Sequence, residues 1–200
     1  MDWLDTVLLV LVAYLFGSVP SGYWIARLVA GIDVRTVGSK NIGATNVTRT
    51  LGLKWGLLVL LLDMAKGAAP VAIALNLWSN EAETYPLRVA VVAFAAFFGH
   101  LRSLFLGFHG GKGVATALGI SLVLLPRASL PALVVFLCVT WLCRYVSVGS
   151  IAAVFSLPIW TLIAAYDPVY VGLTSVLAFY VLMRHRDNVR ALLQGRERRL

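Results

Sequence analysis

This chain has few charged residues. Only 13% of its 200 residues are charged, whereas soluble domains carry about 25%. In addition, 60% of the residues are hydrophobic, and the mean hydropathy is +0.86. So few polar side chains cannot cover a soluble surface. We therefore expect an integral membrane protein.

Cysteine and histidine are also scarce. Cys138 and Cys143 are five positions apart on one predicted helix, hence about 140° apart around its axis. They should not pair, and neither they nor the three histidines form a metal-ligand pattern. We predict no metal and no cofactor.

What is present is a series of seven apolar segments. They cover residues 4–26, 53–78, 86–106, 114–126, 128–143, 150–166 and 168–183. A spanning helix needs about 20 residues, so we predict a single all-α membrane domain over residues 1–200 with about seven transmembrane helices. Pro20, between Gly17 and Gly22, predicts a kink or break in the first helix. Packing through small residues is the alternative role for this stretch.

The basic residues predict the topology. Fourteen of the 17 Lys and Arg residues fall on one predicted side, the exceptions being Arg88 and Arg127 outside and Lys66 within a span. The opposite side carries the acidic residues Asp2, Asp5, Glu81, Glu83 and Asp167. Because basic loops face the cytoplasm, the amino terminus should be outside and the carboxyl terminus cytoplasmic. The net charge of +8 then reflects topology and attraction to anionic lipid, not nucleic-acid binding.

Two polar clusters on the basic side are rich in groups that bind phosphate. Residues 38–49 combine glycines and asparagines, which permit anion-binding turns, with hydroxyl groups and the guanidinium of Arg49. Residues 110–113 place glycine amides and Lys112 just before an apolar helix, where the helix dipole favours an anion. Each cluster could also be a simple connection between helices.

Two further clusters follow later in the chain. Arg144, Ser147 and Ser150 come after the fifth apolar segment, where a serine could instead cap the next helix. His185 and Asn188 follow the seventh segment and would share a face of a continuing helix, although this end could also lie against lipid. Together the four clusters predict an active site for phosphate ligands at the cytoplasmic face.

Asp63 and Lys66 are three residues apart inside the second apolar segment. Charges within a span are costly and usually pair, and this spacing puts both on one face of a helix. We favour a neutralising pair that locks this helix against its neighbours. A contribution of Lys66 to a nearby anion site is the alternative.

Residues suited to acid–base or nucleophilic catalysis are few. There is no GxSxG elbow, the P-loop spacing fails because Gly113 stands at its Ser/Thr position, and no histidine has an aspartate five residues on. Among the cytoplasmic carboxylates only Asp33, Asp187 and Glu197 are notable. An enzyme built on these clusters would act mainly by positioning and charge stabilisation.

The motifs GSKNIGATNVTR, GHLRSLFLGFHGGKGVAT, RYVSVGS and HRDN resemble, in this order, those of the PlsY family. These bacterial membrane enzymes transfer an acyl chain from acyl phosphate to the sn-1 hydroxyl of glycerol 3-phosphate. The resemblance implies a seven-helix enzyme of the inner membrane with a cytoplasmic-face site. Its partners would be glycerol 3-phosphate, long-chain acyl phosphate and membrane lipid, and we expect a monomer that binds no nucleic acid.

The resemblance also implies roles for individual residues. Those expected to act in catalysis are Ser39, Arg49, Lys112, His185 and Asn188. Those expected to bind substrate or shape its site are Asn41, Thr45, Asn46, Gly110, Gly111, Gly113, Arg144, Ser147 and Ser150. Within this set Ser39, Arg49, Lys112 and Ser150 would bind glycerol 3-phosphate, and the amides of residues 110–113 would bind the acyl phosphate group.

A transporter of phosphate or a small phosphate ester is the alternative function. Broken helices and positive helix ends at bound anions are also found in transporters. Against this alternative, the polar clusters all lie at one predicted face and no inverted repeat is visible. A structural membrane subunit is a third and weaker possibility, since it would leave the clustered donors unexplained.

Overall fold

The computed structural model describes residues 3–78 and 85–199, and the described chain is helical with no strand. Its helices are α1 (Trp3–Ser18), α2 (Ser21–Ala30), α3 (Ala44–Leu51), α4 (Leu53–Leu77), α5 (Tyr85–Leu101), α6 (Val114–Leu124), α7 (Pro126–Cys143), α8 (Val146–Ile163), α9 (Pro168–Arg184) and α10 (Arg186–Leu193), with a 3₁₀ turn at Leu104–Leu106. Asp2, Glu81 and Glu83, which entered the topology prediction, lie outside the described residues.

Five segments of the described chain are long and apolar enough to cross a membrane. They are Trp3–Ala30, Leu53–Leu77, Tyr85–Leu106, Pro126–Cys143 and Val146–Ile163. Val114–Leu124 and Pro168–Arg184 are apolar but shorter. All seven predicted segments are therefore apolar helices, while length alone assigns five of them as spans.

Large apolar side chains cover much of the outer surface of these helices. Leu8, Leu11, Leu61, Ile159 and Leu162 are each more than half exposed. Exposed apolar patches of this extent mark a surface that contacts something other than water. The protein is an integral membrane protein, and these faces are suited to lipid.

The chain forms two compact units, Met1–Val123 and Leu124–Leu200. In the first, α5 packs against α1 and α4, and α4 also packs against α1, α2 and α3. In the second, α8 packs between α7 and α9, and α10 contacts α9. That both units form one membrane domain stays a prediction.

The predicted break in the first helix is confirmed. Helix α1 ends at Ser18 and α2 begins at Ser21, with Pro20 between them. Gly17 packs so closely on α5 that a Cβ there would lie 2.0 Å from the carbonyl oxygen of Ala96. The stretch therefore combines a helix break with small-residue packing.

Asp63 and Lys66 form the predicted pair next to this break. The ammonium of Lys66 lies 2.9 Å from Asp63 Oδ1, and both residues are buried. Lys66 Nζ also donates to the carbonyl oxygen of Val19 at 2.8 Å, and the hydroxyl of Ser21 donates to Asp63 Oδ1. The pair thus joins α4 to both sides of the break.

Two local expectations were wrong, and one alternative that the sequence left open is excluded. Residues 44–51 of the supposed polar connection form α3, whose sequence ATNVTRTL is too short and too polar to stand out as an apolar segment. Helix α8 begins at Val146 with Tyr145 at its N-cap, so neither Ser147 nor Ser150 caps it. The chain also breaks at His185, between α9 and α10, instead of continuing as one helix.

Candidate active site

Asn46 organises the first polar cluster. Its Nδ2 lies within hydrogen-bond distance of the carbonyl oxygens of Val34, Val37 and Asn41, at 3.0, 3.1 and 2.9 Å. Its Oδ1 accepts from the backbone N–H of Ser39 at 2.8 Å, and the residue is 1% exposed. Asn46, which was expected to bind substrate or to shape its site, uses its side-chain amide to hold the loop.

The loop presents several of the other predicted residues to the surface. Ser39 is exposed, and so are Thr45 and Arg49 on α3. Thr45 and Arg49 are four residues apart in the helix, so they share one face. Asn41 turns the chain into α3 by accepting from the N–H of Gly43 at 2.8 Å, and Gly43 is the N-cap of the helix.

A charged turn fixes the start of this loop. The guanidinium of Arg35 donates to both oxygens of Asp33, at 3.0 Å from Nε to Oδ1 and 2.7 Å from Nη2 to Oδ2. This hydrogen bonding lowers the pKa of Asp33 to about 2. Both Arg27 and Arg35 also lie over the ring of Tyr23. The carboxylate is therefore occupied by its arginine neighbours and is a poor base.

The second cluster forms a loop that folds back on the end of α5. The N–H of Gly110 donates to the carbonyl of Leu101 at 3.1 Å, and that of Gly111 donates to the carbonyl of His100 at 3.0 Å. These two amides close the loop, which corrects the expectation that they face a phosphate. Gly113, with φ +85°, leads into α6, whose first-turn amides have no carbonyl partner within the helix.

One hydrophobic cluster brings the first two polar clusters together. Ile42 and Val47 of the first loop pack in the same buried group as Leu106, which precedes the second loop. The other buried members of this group are Ile25, Ala26, Val34 and Val59. Ser39, Arg49 and Lys112 are thus carried by segments that share one core.

In the second compact unit, Glu197 joins the third and fourth clusters. Its Oε1 accepts from the hydroxyl of Ser147 at 2.8 Å and from the Nδ2 of Asn188 at 2.8 Å. Arg199 reaches back in the same way, with its Nε donating to the hydroxyl of Tyr145 at 3.1 Å. The C-terminal residues therefore tie α10 to the start of α8.

The remaining predicted residues of this unit lie near the same helix ends. Ser150 is buried in the first turns of α8, and His185 is buried between α9 and α10. His185 Nδ1 lies 2.8 Å from the carbonyl oxygen of Val181, which orients the ring. Arg144 is the exposed C-cap of α7, in a left-handed conformation with φ +63°.

Sequence reasoning missed Glu197 as part of the site. It named Glu197 only as a notable carboxylate and gave it no partner, because the two partners of Glu197 are 50 and nine residues away. A carboxylate that accepts two hydrogen bonds from candidate site residues is a structural part of the site. Among the described residues, no group of three or more His, Cys, Asp or Glu could hold a metal ion.

The fold and these loops define a class of protein: an all-helical integral membrane protein with cationic and hydroxyl side chains on the connections between its helices. The glycerol-3-phosphate acyltransferase family model matches residues 7–195. The chain belongs to the glycerol-3-phosphate acyltransferase family.

Relatives and solved structures match along almost the whole chain. A glycerol-3-phosphate acyltransferase of Geobacter sulfurreducens is 45% identical over 98% of both chains. A crystal structure of PlsY, an integral membrane glycerol 3-phosphate acyltransferase, in its glycerol 3-phosphate form is 40% identical, with a TM-score of 0.92 over 98% of this chain and 96% of that one. A lysophosphatidic acid form of PlsY has 38% identity and a TM-score of 0.88, over 98% of this chain and 95% of that one.

Replacing Asn46 should disorganise the first loop. Asn46→Ala removes the acceptor for Ser39 and the donor to three carbonyls, so we expect acyltransferase activity to fall by about tenfold or more, since a small misplacement of site residues is costly. Thr50→Val is the matched control, because the Thr50 hydroxyl only donates back to the carbonyl of Asn46 at 2.7 Å. Steady-state rates of both variants test this, and equal rates would contradict it.

Replacing Glu197 should weaken the contacts that join the third and fourth clusters. Glu197→Ala leaves Ser147 and Asn188 without their shared acceptor, and we expect the turnover number to fall about tenfold or more. The adjacent Arg198 is exposed, and Arg198→Ala should behave like the wild type. If Glu197→Ala turned over at the wild-type rate, the hydrogen bonds to Glu197 would have no part in the site.

Proposed function

We propose that this protein transfers a long acyl chain from acyl phosphate to the sn-1 hydroxyl of glycerol 3-phosphate. The products are lysophosphatidic acid and inorganic phosphate, and this is the first acylation of phospholipid synthesis. The observation that carries the proposal is the near-complete match to PlsY in its glycerol 3-phosphate form. The inventory of side chains agrees with it, because both substrates bear phosphate and the loops are rich in donors.

The reaction needs little from a protein base. The sn-1 oxygen attacks the carbonyl carbon of the acyl phosphate, a new ester C–O bond forms, and the C–O bond to phosphate breaks. Phosphate leaves as an anion, and the hydroxyl proton passes to a phosphate oxygen of a substrate. A mixed anhydride is already activated, so the protein contributes by holding both phosphates and the developing charge.

We assign individual roles as follows. Ser39 and Arg49 bind the phosphate of glycerol 3-phosphate together with Lys112 and Ser150, since a guanidinium and an ammonium suit a doubly charged phosphate. His185 and Asn188 lie near the reacting carbonyl or the glycerol. Thr45, Arg144 and Ser147 line the substrate site, and the first turn of α6 with Lys112 and Gly113 holds the acyl phosphate group.

The membrane arrangement belongs to the same proposal. All seven apolar helices cross the bacterial inner membrane, with the amino terminus outside and the carboxyl terminus in the cytoplasm. The positive-inside rule supports this orientation. The reaction then takes place at the cytoplasmic face, the acyl chain lies against lipid-facing helices, and the enzyme acts as a monomer.

A detergent assay tests the proposed reaction. Purified protein, with palmitoyl phosphate and glycerol 3-phosphate, should form lysophosphatidic acid and phosphate in equal amounts without any membrane compartment. A transporter of phosphate esters would form no product under these conditions. Absence of product from protein that remains folded would refute the proposal.

Two substitutions test the assigned phosphate ligands. Lys112→Ala and Arg49→Ala should each lower activity by about 10² to 10³, as expected for loss of a positioned charge at the reacting groups. Arg198→Ala removes the same charge from an exposed C-terminal position and should retain activity. Rates of the three variants in the detergent assay decide the matter, and wild-type turnover in Lys112→Ala would disprove the assignment.

A further inference from the structure

The buried pair at the helix break has a third titratable neighbour. His100, in the last turn of α5, is 3% exposed, and its Nδ1 lies 3.8 Å from the same Asp63 Oδ1 that receives Lys66. Asp63 is therefore approached by an ammonium from its own helix, by the hydroxyl of Ser21 and by an imidazole from α5. The carboxylate connects the broken helix to the end of α5.

The other side of His100 supports the second polar loop. Its carbonyl oxygen accepts from the N–H of Gly111 at 3.0 Å. A Cβ on Gly111 would lie only 2.2 Å from His100 Nε2, so the imidazole fills the space directly beneath this residue. The path of the backbone into Lys112 is consequently set by where the ring of His100 lies.

Stability alone is a weak reason for placing these groups in the membrane interior. Removing charges from water costs several kcal/mol per ion, and apolar residues of similar volume are often as stable. Buried ionisable groups in spans are accordingly expected to serve a specific arrangement or function. Here the buried groups form one series of contacts, which runs from the helix break to the loop that carries Lys112.

We propose that Asp63 and His100 are positioning residues for the phosphate loop of residues 110–113. Asp63, held by Lys66, orients the imidazole of His100, and the imidazole holds Gly111 so that Lys112, the next residue, meets a substrate phosphate. Neither residue contacts the substrate. This inference rests on the proposed role of the loop in phosphate binding.

Two substitutions of His100 separate positioning from packing. The amide of His100→Asn can still donate toward Asp63, whereas His100→Leu fills similar space without a donor. We expect His100→Leu to raise the KM for acyl phosphate about tenfold or more, and His100→Asn to restore most of the affinity, because loss of uniform binding appears in KM. A KM in His100→Leu within about twofold of the wild type would overturn the proposal.

Thr6→Val is the matched control for general loosening of α5. The hydroxyl of Thr6 receives the Nε of Arg88, at the other end of α5, at 2.6 Å, and both residues are buried. Loss of this hydrogen bond should lower the thermal transition temperature in detergent and leave the KM for acyl phosphate unchanged. An equal KM increase in Thr6→Val and His100→Leu would show that only stability is involved, which would also overturn the proposal.

Two more variants complete the design. Asp63→Asn keeps the shape of the carboxylate without its charge, and it serves if His100→Leu does not fold. An unchanged KM for acyl phosphate in folded Asp63→Asn then overturns the proposal, and a raised KM supports it.

Gly111→Ala places a methyl group against the ring of His100 and should raise the KM for acyl phosphate if the loop binds phosphate. A raised KM in Gly111→Ala with a normal KM in His100→Leu refutes the positioning alone. A normal KM in both refutes the role of the loop, while product formation still supports the reaction.

Discussion

An ion pair inside a membrane-spanning helix lies at the break in the first helix and hydrogen-bonds to residues on both sides of Pro20. Pro20 interrupts the first helix, and a break within a membrane span exposes backbone carbonyls that water cannot satisfy. Lys66 donates to one of them, the carbonyl of Val19, while Asp63 neutralises the ammonium. The hydroxyl of Ser103 similarly donates to the carbonyl of Ser18. Side chains from α4 and from the residues after α5 thus add hydrogen bonds to the backbone at the break, where the carbonyl of Val19 also accepts from the N–H of Ser21.

In the candidate site too, buried polar residues hold exposed residues in place. Asn46 and His100 are buried at 1% and 3% exposure. Asn46 binds the first loop through its side-chain amide, and the backbone carbonyl of His100 accepts from Gly111 of the second loop. Ser39 and Arg49, the residues assigned to substrate, are exposed on the loop that Asn46 organises. A phosphate site must keep its donors in place before the substrate arrives, because preorganised donors cost no rearrangement during the reaction. In the proposed function, the interior polar residues supply this preorganisation.

Local patterns in the sequence predicted the features that depend on local physics. Apolar segments located the long helices, Pro20 located the break, and the spacing of Asp63 and Lys66 predicted their pairing. The search for apolar segments could not reveal α3, because a short amphipathic helix contains no long apolar run. It also missed the hydrogen bonds of Glu197, whose partner Ser147 is distant in the chain. The use of the Gly110 and Gly111 amides to close a loop likewise depends on where α5 ends in space.

Thermal unfolding in detergent of a charge-pair series tests most directly whether Asp63 and Lys66 act as one coupled pair at the helix break. Lys66→Met leaves Asp63 buried without its counter-charge, so we expect a large loss, about 3–5 kcal/mol, as for one partner of a buried pair. The double variant Asp63→Asn/Lys66→Met removes both charges and should recover at least half of that loss. If the double variant were instead as unstable as the sum of the two single losses, the two side chains would act independently. The account of Asp63 and Lys66 as a coupled pair would then be wrong.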